Sequence, residues 1–117
     1  MKLILSLVLL TQLGWAADLK QIHQSVQKNE SILIDVREKE EVDLGMIKGA
    51  KWVPLSKTDL STLKKIKKDY NKKTLYVYCR SGTRAEKFIT LLKSVGLKAE
   101  NLGGYEELKE KGLPVTQ

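Results

Sequence analysis

The stretch TLYVYCRSGTRAEKF, residues 74–88, joins an apolar run to a short polar loop and then to a segment with helical periodicity. Thr74-Leu75-Tyr76-Val77-Tyr78 has the β-branched and aromatic character of a buried strand. The apolar residues after the loop predict a helix from about Arg84 to Val95, and Gly96 suits its C-terminal end. Cys79 is thereby predicted at the carboxyl end of a strand and next to a helix N-terminus.

Strands and helices alternate on both sides of this unit. Further strands are predicted at residues 31–36, 51–53 and 99–102, a glycine turn at 103–104, and further helices at 19–28, 38–43, about 60–70 and from 105. This alternation is typical of an α/β domain with a mainly parallel sheet and helices on both faces. In such a sheet, ligands gather at the carboxyl ends of the strands, where both Asp35 and Cys79 are predicted.

The six-residue loop Cys79-Arg80-Ser81-Gly82-Thr83-Arg84 has the features that activate a cysteine nucleophile. The dipole of a helix N-terminus stabilises a thiolate by up to about 2 kcal/mol, and direct N–H donors and nearby cations add to this stabilisation. Gly82 permits the tight curvature that lets backbone N–H groups surround an anion. Arg80 and Arg84 can bind a sulfonate or sulfite group, although either could instead be a surface charge. We predict Cys79 as the nucleophile, with substrate bound by Arg80, Ser81, Gly82, Thr83 and Arg84.

Outside this loop, two charged residues are candidates for a role at the site, and three further residues are interpreted as structural. Asp35 ends a predicted strand, and a buried carboxylate needs a partner, so we predict an orienting role for Asp35 with Arg37 as its partner or as a second anion contact. His23 is the only histidine and has no neighbours at metal-ligand spacing, so no metal or other cofactor is predicted. Trp52 and Tyr76 are predicted to lie in the core rather than to form a binding platform.

The N-terminus has the pattern of a signal peptide over residues 1–16. Lys2 supplies the positive charge, residues 3–10 form a short apolar core, and Gly14 and Ala16 are the small residues that a signal peptidase requires. The apolar run is shorter than the roughly 20 residues that span a bilayer, although an uncleaved anchor is an alternative. We predict cleavage after Ala16, export that is most consistent with a periplasmic location, and a mature domain at residues 17–117 without stable membrane insertion.

Cysteine usage and charge narrow the function further. An exported domain stabilised by disulfides would contain an even set of cysteines, whereas this chain of 117 residues has one. The net charge of +7 derives largely from lysines at 64–73, which we interpret as the solvated face of a helix. Nucleic acid is not expected as a partner for an exported chain, although attraction to an anionic envelope surface is conceivable.

With these residues in view, the chain resembles the single-domain rhodaneses, in particular small periplasmic ones. Residues 78–85 resemble the active-site loop of that family. Residues 34–38, 45–50 and 53–54 are similar to its first signature, and residues 101–104 and 112–115 to its C-terminal one. Two positions depart from the pattern: Met46 lies where the family usually has histidine, and Leu108 where tryptophan is common. Both positions look structural.

The resemblance implies a doubly wound, mainly parallel five-stranded sheet and a sulfurtransferase that acts through a Cys79 persulfide. The implied donor is thiosulfate or a similar small sulfur anion, the implied acceptor is cyanide or a thiol, and the protein is expected to be a monomer. A persulfide carrier with low turnover is the alternative. A phosphatase or arsenate reductase is disfavoured. The resemblance implies that related enzymes with those activities have one more residue between the cysteine and the arginine of the active-site loop.

Overall fold

Four parallel strands form the central sheet in the computed structural model, which describes residues 18–116. Their order across the sheet is β3-β1-β4-β5. The strands are β1 (Ser31–Asp35), β3 (Lys51–Trp52), β4 (Thr74–Cys79) and β5 (Glu100–Gly104), and a separate antiparallel pair consists of β2 (Met46–Ile47) and β6 (Val115–Thr116). The α/β class with a mainly parallel sheet is confirmed.

Helices cover both faces of this sheet, also as predicted. They are α1 (residues 18–27), α2 (Lys39–Val42), α3 (Leu60–Tyr70), α4 (Thr83–Ser94) and α5 (Tyr105–Glu110), with a 3-10 turn at Leu55–Lys57. Side chains alternate across β4, so that Leu75, Val77 and Cys79 pack with α3 and α4 while Tyr78 packs with α1 and α5. The helices α3, α4 and α5 each bury apolar residues against the sheet, whereas the short α2 buries none.

The predicted count of five strands is wrong for the residues that the structure describes. The two extra strand segments are only two residues long, and they pair with each other instead of joining the central sheet. The backbone N–H of Ile47 in β2 donates to the hydroxyl of Tyr78 at 3.0 Å. A side chain of the central sheet therefore satisfies this one backbone group, while the ladder of β2 is formed with β6.

Two smaller predictions, on the glycine turn and on Trp52, are wrong, and a third lies outside the described residues. Gly103 and Gly104 end β5 rather than forming a separate turn. Trp52 is 39% exposed and is not a core residue, because its indole N–H donates to the carbonyl oxygen of Arg37 at 2.8 Å and holds the ring at the surface. The predicted signal peptide lies outside the described residues, and among the described helices none is long and apolar enough to cross a membrane.

The sheet reverses its winding direction between β1 and β4. The chain passes from β1 to β3 on one side, and from β4 to β5 on the other. Asp35 and Tyr78 are register partners there, and the N–H of Val36 donates to the carbonyl oxygen of Tyr78 at 3.2 Å. The carboxyl ends at such a switch point are where α/β sheets bind ligands.

Candidate active site

Cys79 is the last residue of β4, and the loop after it leads directly into α4. Gly82 is the residue before α4 and has a φ of +97°, a left-handed conformation that turns the chain back toward the cysteine. Its N–H donates to Cys79 Sγ at 3.0 Å. The first-turn N–H groups of α4 have no acceptor within the helix, so the sulfur lies beside a cluster of donors suited to a thiolate.

The cysteine side chain is fully buried. Ala85 and Phe88 of α4 belong to the same apolar cluster. Because Cys79 has no exposed surface, a sulfur donor contacts it only after neighbouring groups move.

Asn101 in β5 ties the loop to the sheet, a role that the sequence analysis did not assign. Its amide donates to the carbonyl oxygen of Gly82 at 2.9 Å and to Glu86 Oε2 at 3.2 Å. Its side-chain oxygen accepts from the N–H of Gly103 at 2.8 Å. Asn101 was part of the C-terminal segment used for the resemblance, but nothing in its residue type revealed a contact across the sheet.

Arg37 and Asp35 form a buried ion pair beside the loop. Arg37 Nε lies 3.0 and 3.1 Å from the two carboxylate oxygens, Nη2 lies 2.8 Å from Oδ2, and Nη2 also donates to the carbonyl oxygen of Gly45 at 2.7 Å. Burial opposes the charge, but the hydrogen bonds and the charge of Asp35 outweigh it and raise the pKa of Arg37. The guanidinium also lies 4.2 Å from the centre of the Tyr105 ring. These contacts fit the predicted orienting role, and Asp35 Oδ1 also accepts a hydrogen bond from the backbone N–H of Arg37 at 3.0 Å.

Arg84 is held by a carboxylate that the sequence analysis did not single out. Its Nη1 and Nη2 atoms lie 2.7 and 2.9 Å from the two oxygens of Glu41 in α2, a bidentate pair in which both side chains are partly exposed. The hydrogen bonds from Arg84 lower the pKa of Glu41 from 4.5 to about 2, against the opposing effect of burial. The pair fastens α2 to the start of α4, and the predicted binding of substrate by Arg84 requires that Glu41 share or release it.

Replacing Glu41 with glutamine should lower stability by about 1–2 kcal/mol at neutral pH, after allowance for screening of a pair whose members are 29% and 26% exposed. Because the folded-state pKa lies below the ordinary value, this contribution is present above about pH 4.5 and is lost as the pH falls toward about 2. Urea unfolding of both proteins across that range measures it.

Asp43→Asn is the matched control, because Asp43 is the residue after α2 and its ion pair with Lys39 is exposed. It should change stability less than Glu41→Gln does. A stability difference between wild type and Glu41→Gln that is constant from pH 7 to pH 2 would contradict the assignment.

Arg80 differs from the other two arginines because it is exposed and forms no ion pair in the part of the chain that the structure describes. Ser81 and Thr83 are also exposed, and Gly82 is half-buried. The predicted loop residues thus lie together around Cys79, whereas their roles toward a substrate stay predictions. Within residues 18–116 no group of three or more histidine, cysteine or acidic side chains could hold a metal ion.

Comparison with known families matches residues 18–111 to the rhodanese-like domain. The chain belongs to the rhodanese-like family. No curated protein matches it. The two departures from the family pattern fall in structural places: Met46 lies in β2, opposite Thr116, and Leu108 is a fully buried core residue of α5.

Solved structures similar to this rhodanese-like chain cover most of its length. A protein from Staphylococcus saprophyticus is 26% identical, with 82% of this chain and 94% of that one aligned at a TM-score of 0.65. A rhodanese-related protein from Thermoplasma volcanium is 28% identical over 86% and 93% of the two chains, with a TM-score of 0.65. A rhodanese from E. coli, solved with anions, is 27% identical over 74% and 98%, with a TM-score of 0.59. The fold is therefore of the sulfurtransferase type.

Proposed function

We propose that this rhodanese-like protein is a sulfurtransferase that carries sulfane sulfur as a persulfide on Cys79. The observation that supports it best is the position of Cys79 Sγ, 3.0 Å from the Gly82 N–H and at the start of α4. That environment stabilises negative charge on sulfur in both the thiolate and the persulfide. The structure shows no histidine near the loop, since the single His23 lies in α1, so activation falls to backbone donors and charge.

The reaction proceeds in two displacements. The Cys79 thiolate attacks the outer sulfur of thiosulfate, a new S–S bond forms, the old S–S bond breaks, and sulfite leaves with the electron pair. Cyanide or a thiolate acceptor then attacks the outer sulfur of the persulfide, and the Cys79 thiolate leaves with the electron pair. Donor and acceptor thus use the same site in turn.

Reduced protein of residues 17–117 should gain the mass of one sulfur atom on exposure to thiosulfate and lose it on addition of cyanide, with thiocyanate as the product. Intact mass spectrometry follows loading, and thiocyanate formation follows turnover. Loading without turnover would favour the persulfide carrier. Failure to load from thiosulfate and from organic persulfides would refute the proposal, and Cys79-dependent hydrolysis of an aryl phosphate would favour the phosphatase class.

We also propose that the protein is exported and processed after Ala16. Expression of the full chain in a bacterium with a periplasm should give a soluble periplasmic product. Its intact mass should match a chain that starts at Ala17, because Gly14 and Ala16 occupy the positions that the peptidase recognises. Ala16→Arg should leave the precursor uncleaved. A full-length protein in the cytoplasmic fraction would contradict the proposal.

A further inference from the structure

The charge of the domain is divided unequally between the two faces of the central sheet. The segments that form and flank α3 and α4, residues 55–73 and 83–98, contain eleven basic and three acidic residues, a net charge of +8. The rest of the described chain, which includes α1 and α5 on the opposite face, contains nine basic and eleven acidic residues, a net charge of −2. The excess positive charge therefore lies on the side of the sheet that α3 and α4 cover.

The ten lysines between residues 57 and 98 all lie in these two segments, and their surface is here called the basic face. All ten are exposed. Lys65 pairs with Asp69 at 2.8 Å, and Lys73 donates to the backbone carbonyl oxygen of Asn29. The other eight lysines form no ion pair among residues 18–116. Most of the charge on the basic face is therefore uncompensated within the described domain.

The lysines of the basic face are also close enough to repel one another. Lys64 lies one helical turn from both Lys67 and Lys68 on α3, a spacing at which like charges destabilise a helix. Lys67 extends to the C-terminal end of α4, because a Cβ atom placed on Gly96 would lie 3.3 Å from Lys67 Nζ. The two helices thus share one continuous positive surface, and an anionic surface that covered it would relieve the repulsion.

The residue types of the basic face fit a lipid surface better than a protein or a nucleic acid. The cores of protein interfaces are depleted in lysine and enriched in aromatic residues, whereas the only large, exposed hydrophobic side chain that α3 and α4 contribute to the described surface is Leu60. Arginine binds nucleic-acid phosphates through paired hydrogen bonds, but the one arginine of these segments, Arg84, is held by Glu41. Lysine is a point charge that requires no fixed geometry, and each lysine near an anionic bilayer strengthens binding about fivefold.

We propose that the basic face docks the domain on the surface of a bilayer rich in anionic lipids, with α3 and the C-terminal half of α4 against the headgroups. The contact is peripheral and electrostatic, and the face that α1 and α5 cover stays in solvent. None of the ten lysines lies in the active-site loop, so docking does not depend on the proposed sulfur transfer.

Co-sedimentation of residues 17–117 with lipid vesicles tests the docking. This chain contains every described element and lacks the apolar residues 3–10, which would enter a bilayer by themselves. At about 50 mM salt it should bind vesicles of equal parts phosphatidylglycerol and phosphatidylcholine, and it should dissociate at about 0.5 M salt, where charges are screened within a few ångströms. Binding that is equally strong to phosphatidylcholine alone, or that survives the higher salt, would overturn the proposal.

A pair of charge variants separates the basic face from net charge. The double variant Lys64→Gln, Lys68→Gln should bind the anionic vesicles about 25-fold more weakly, since it loses two contributions of about fivefold. The matched control, Lys20→Gln, Lys28→Gln, removes the same charge from exposed positions in and directly after α1, and it should stay within about threefold of wild type. Both variants should load persulfide at the wild-type rate without vesicles. Equal losses of vesicle binding in the two variants would overturn the assignment of the face.

Phosphatidylglycerol nanodiscs with paramagnetic headgroups locate the contact directly. Amide signals of α3 should broaden more than those of α1 and α5 when the protein binds. Broadening centred on α1 or α5 would overturn the proposed orientation. Binding to duplex DNA at about 0.15 M salt, with none to the anionic vesicles, would favour a nucleic-acid partner and overturn the lipid assignment.

Discussion

Cys79→Ser should abolish sulfur transfer, with turnover falling roughly a thousandfold or more and no persulfide adduct detectable by intact mass. The loss follows from chemistry, because a serine hydroxyl at this position is a far poorer nucleophile than a thiolate and forms no persulfide. The chain contains no second cysteine that could substitute. Thiocyanate formation and intact mass after exposure to thiosulfate are the two measurements.

The fold should survive this substitution, which keeps the kinetic result interpretable. Serine is close to cysteine in shape, and its oxygen can accept the Gly82 N–H that Sγ accepts at 3.0 Å. Thermal unfolding of the variant should therefore remain cooperative, with a modest loss for placing a hydroxyl at a fully buried site. A folded variant that still turns over within tenfold of wild type would remove Cys79 from the mechanism.

Local sequence patterns predicted most of the fold because they reflect local physics. The apolar run before Cys79 and the helical periodicity after it both correspond to observed elements, β4 and α4. The order of strands and helices was enough to predict an α/β class, and the family resemblance of residues 78–85 is confirmed by the rhodanese-like match. Element ends moved by a residue or two, as hydrogen bonding at termini commonly dictates.

Contacts between distant segments could not be predicted in the same way. Glu41 and Arg84 are 43 residues apart, and Asn101 lies 19 residues from the Gly82 carbonyl that it binds. Neither Glu41 nor Asn101 has a residue type or spacing that distinguishes it from other surface polar residues. The predicted count of five strands was wrong for a related reason, since β2 pairs with the distant β6 instead of joining the central sheet. Sequence patterns identify elements, while such pairings depend on how the elements pack.

Gly104→Ala should disable the active-site loop. A Cβ atom at Gly104 would lie 2.2 Å from the carbonyl oxygen of Arg80, 3.0 Å from its carbonyl carbon and 3.4 Å from Ser81 Cα. These are backbone atoms of the loop itself, so no side-chain rotation can relieve the overlap, and the loop must move away from β5. We expect persulfide loading to fall about a hundredfold, because the donors around Cys79 lose their positions, and stability to fall by about 1–3 kcal/mol.

Gly112→Ala separates this steric effect from the ordinary cost of replacing a glycine. Gly112 has a φ of +103°, and a Cβ there would meet no heavy atom within 4 Å. Its substitution should cost about 1–2 kcal/mol of backbone strain and leave loading per folded molecule unchanged. At Gly104 the backbone is extended, a conformation that alanine adopts without strain, but there is no space for the alanine methyl group. Equal loading rates in the two variants would show that the contact between β5 and the loop does not shape the site, whereas loss confined to Gly104→Ala would make β5 a structural support of the nucleophile.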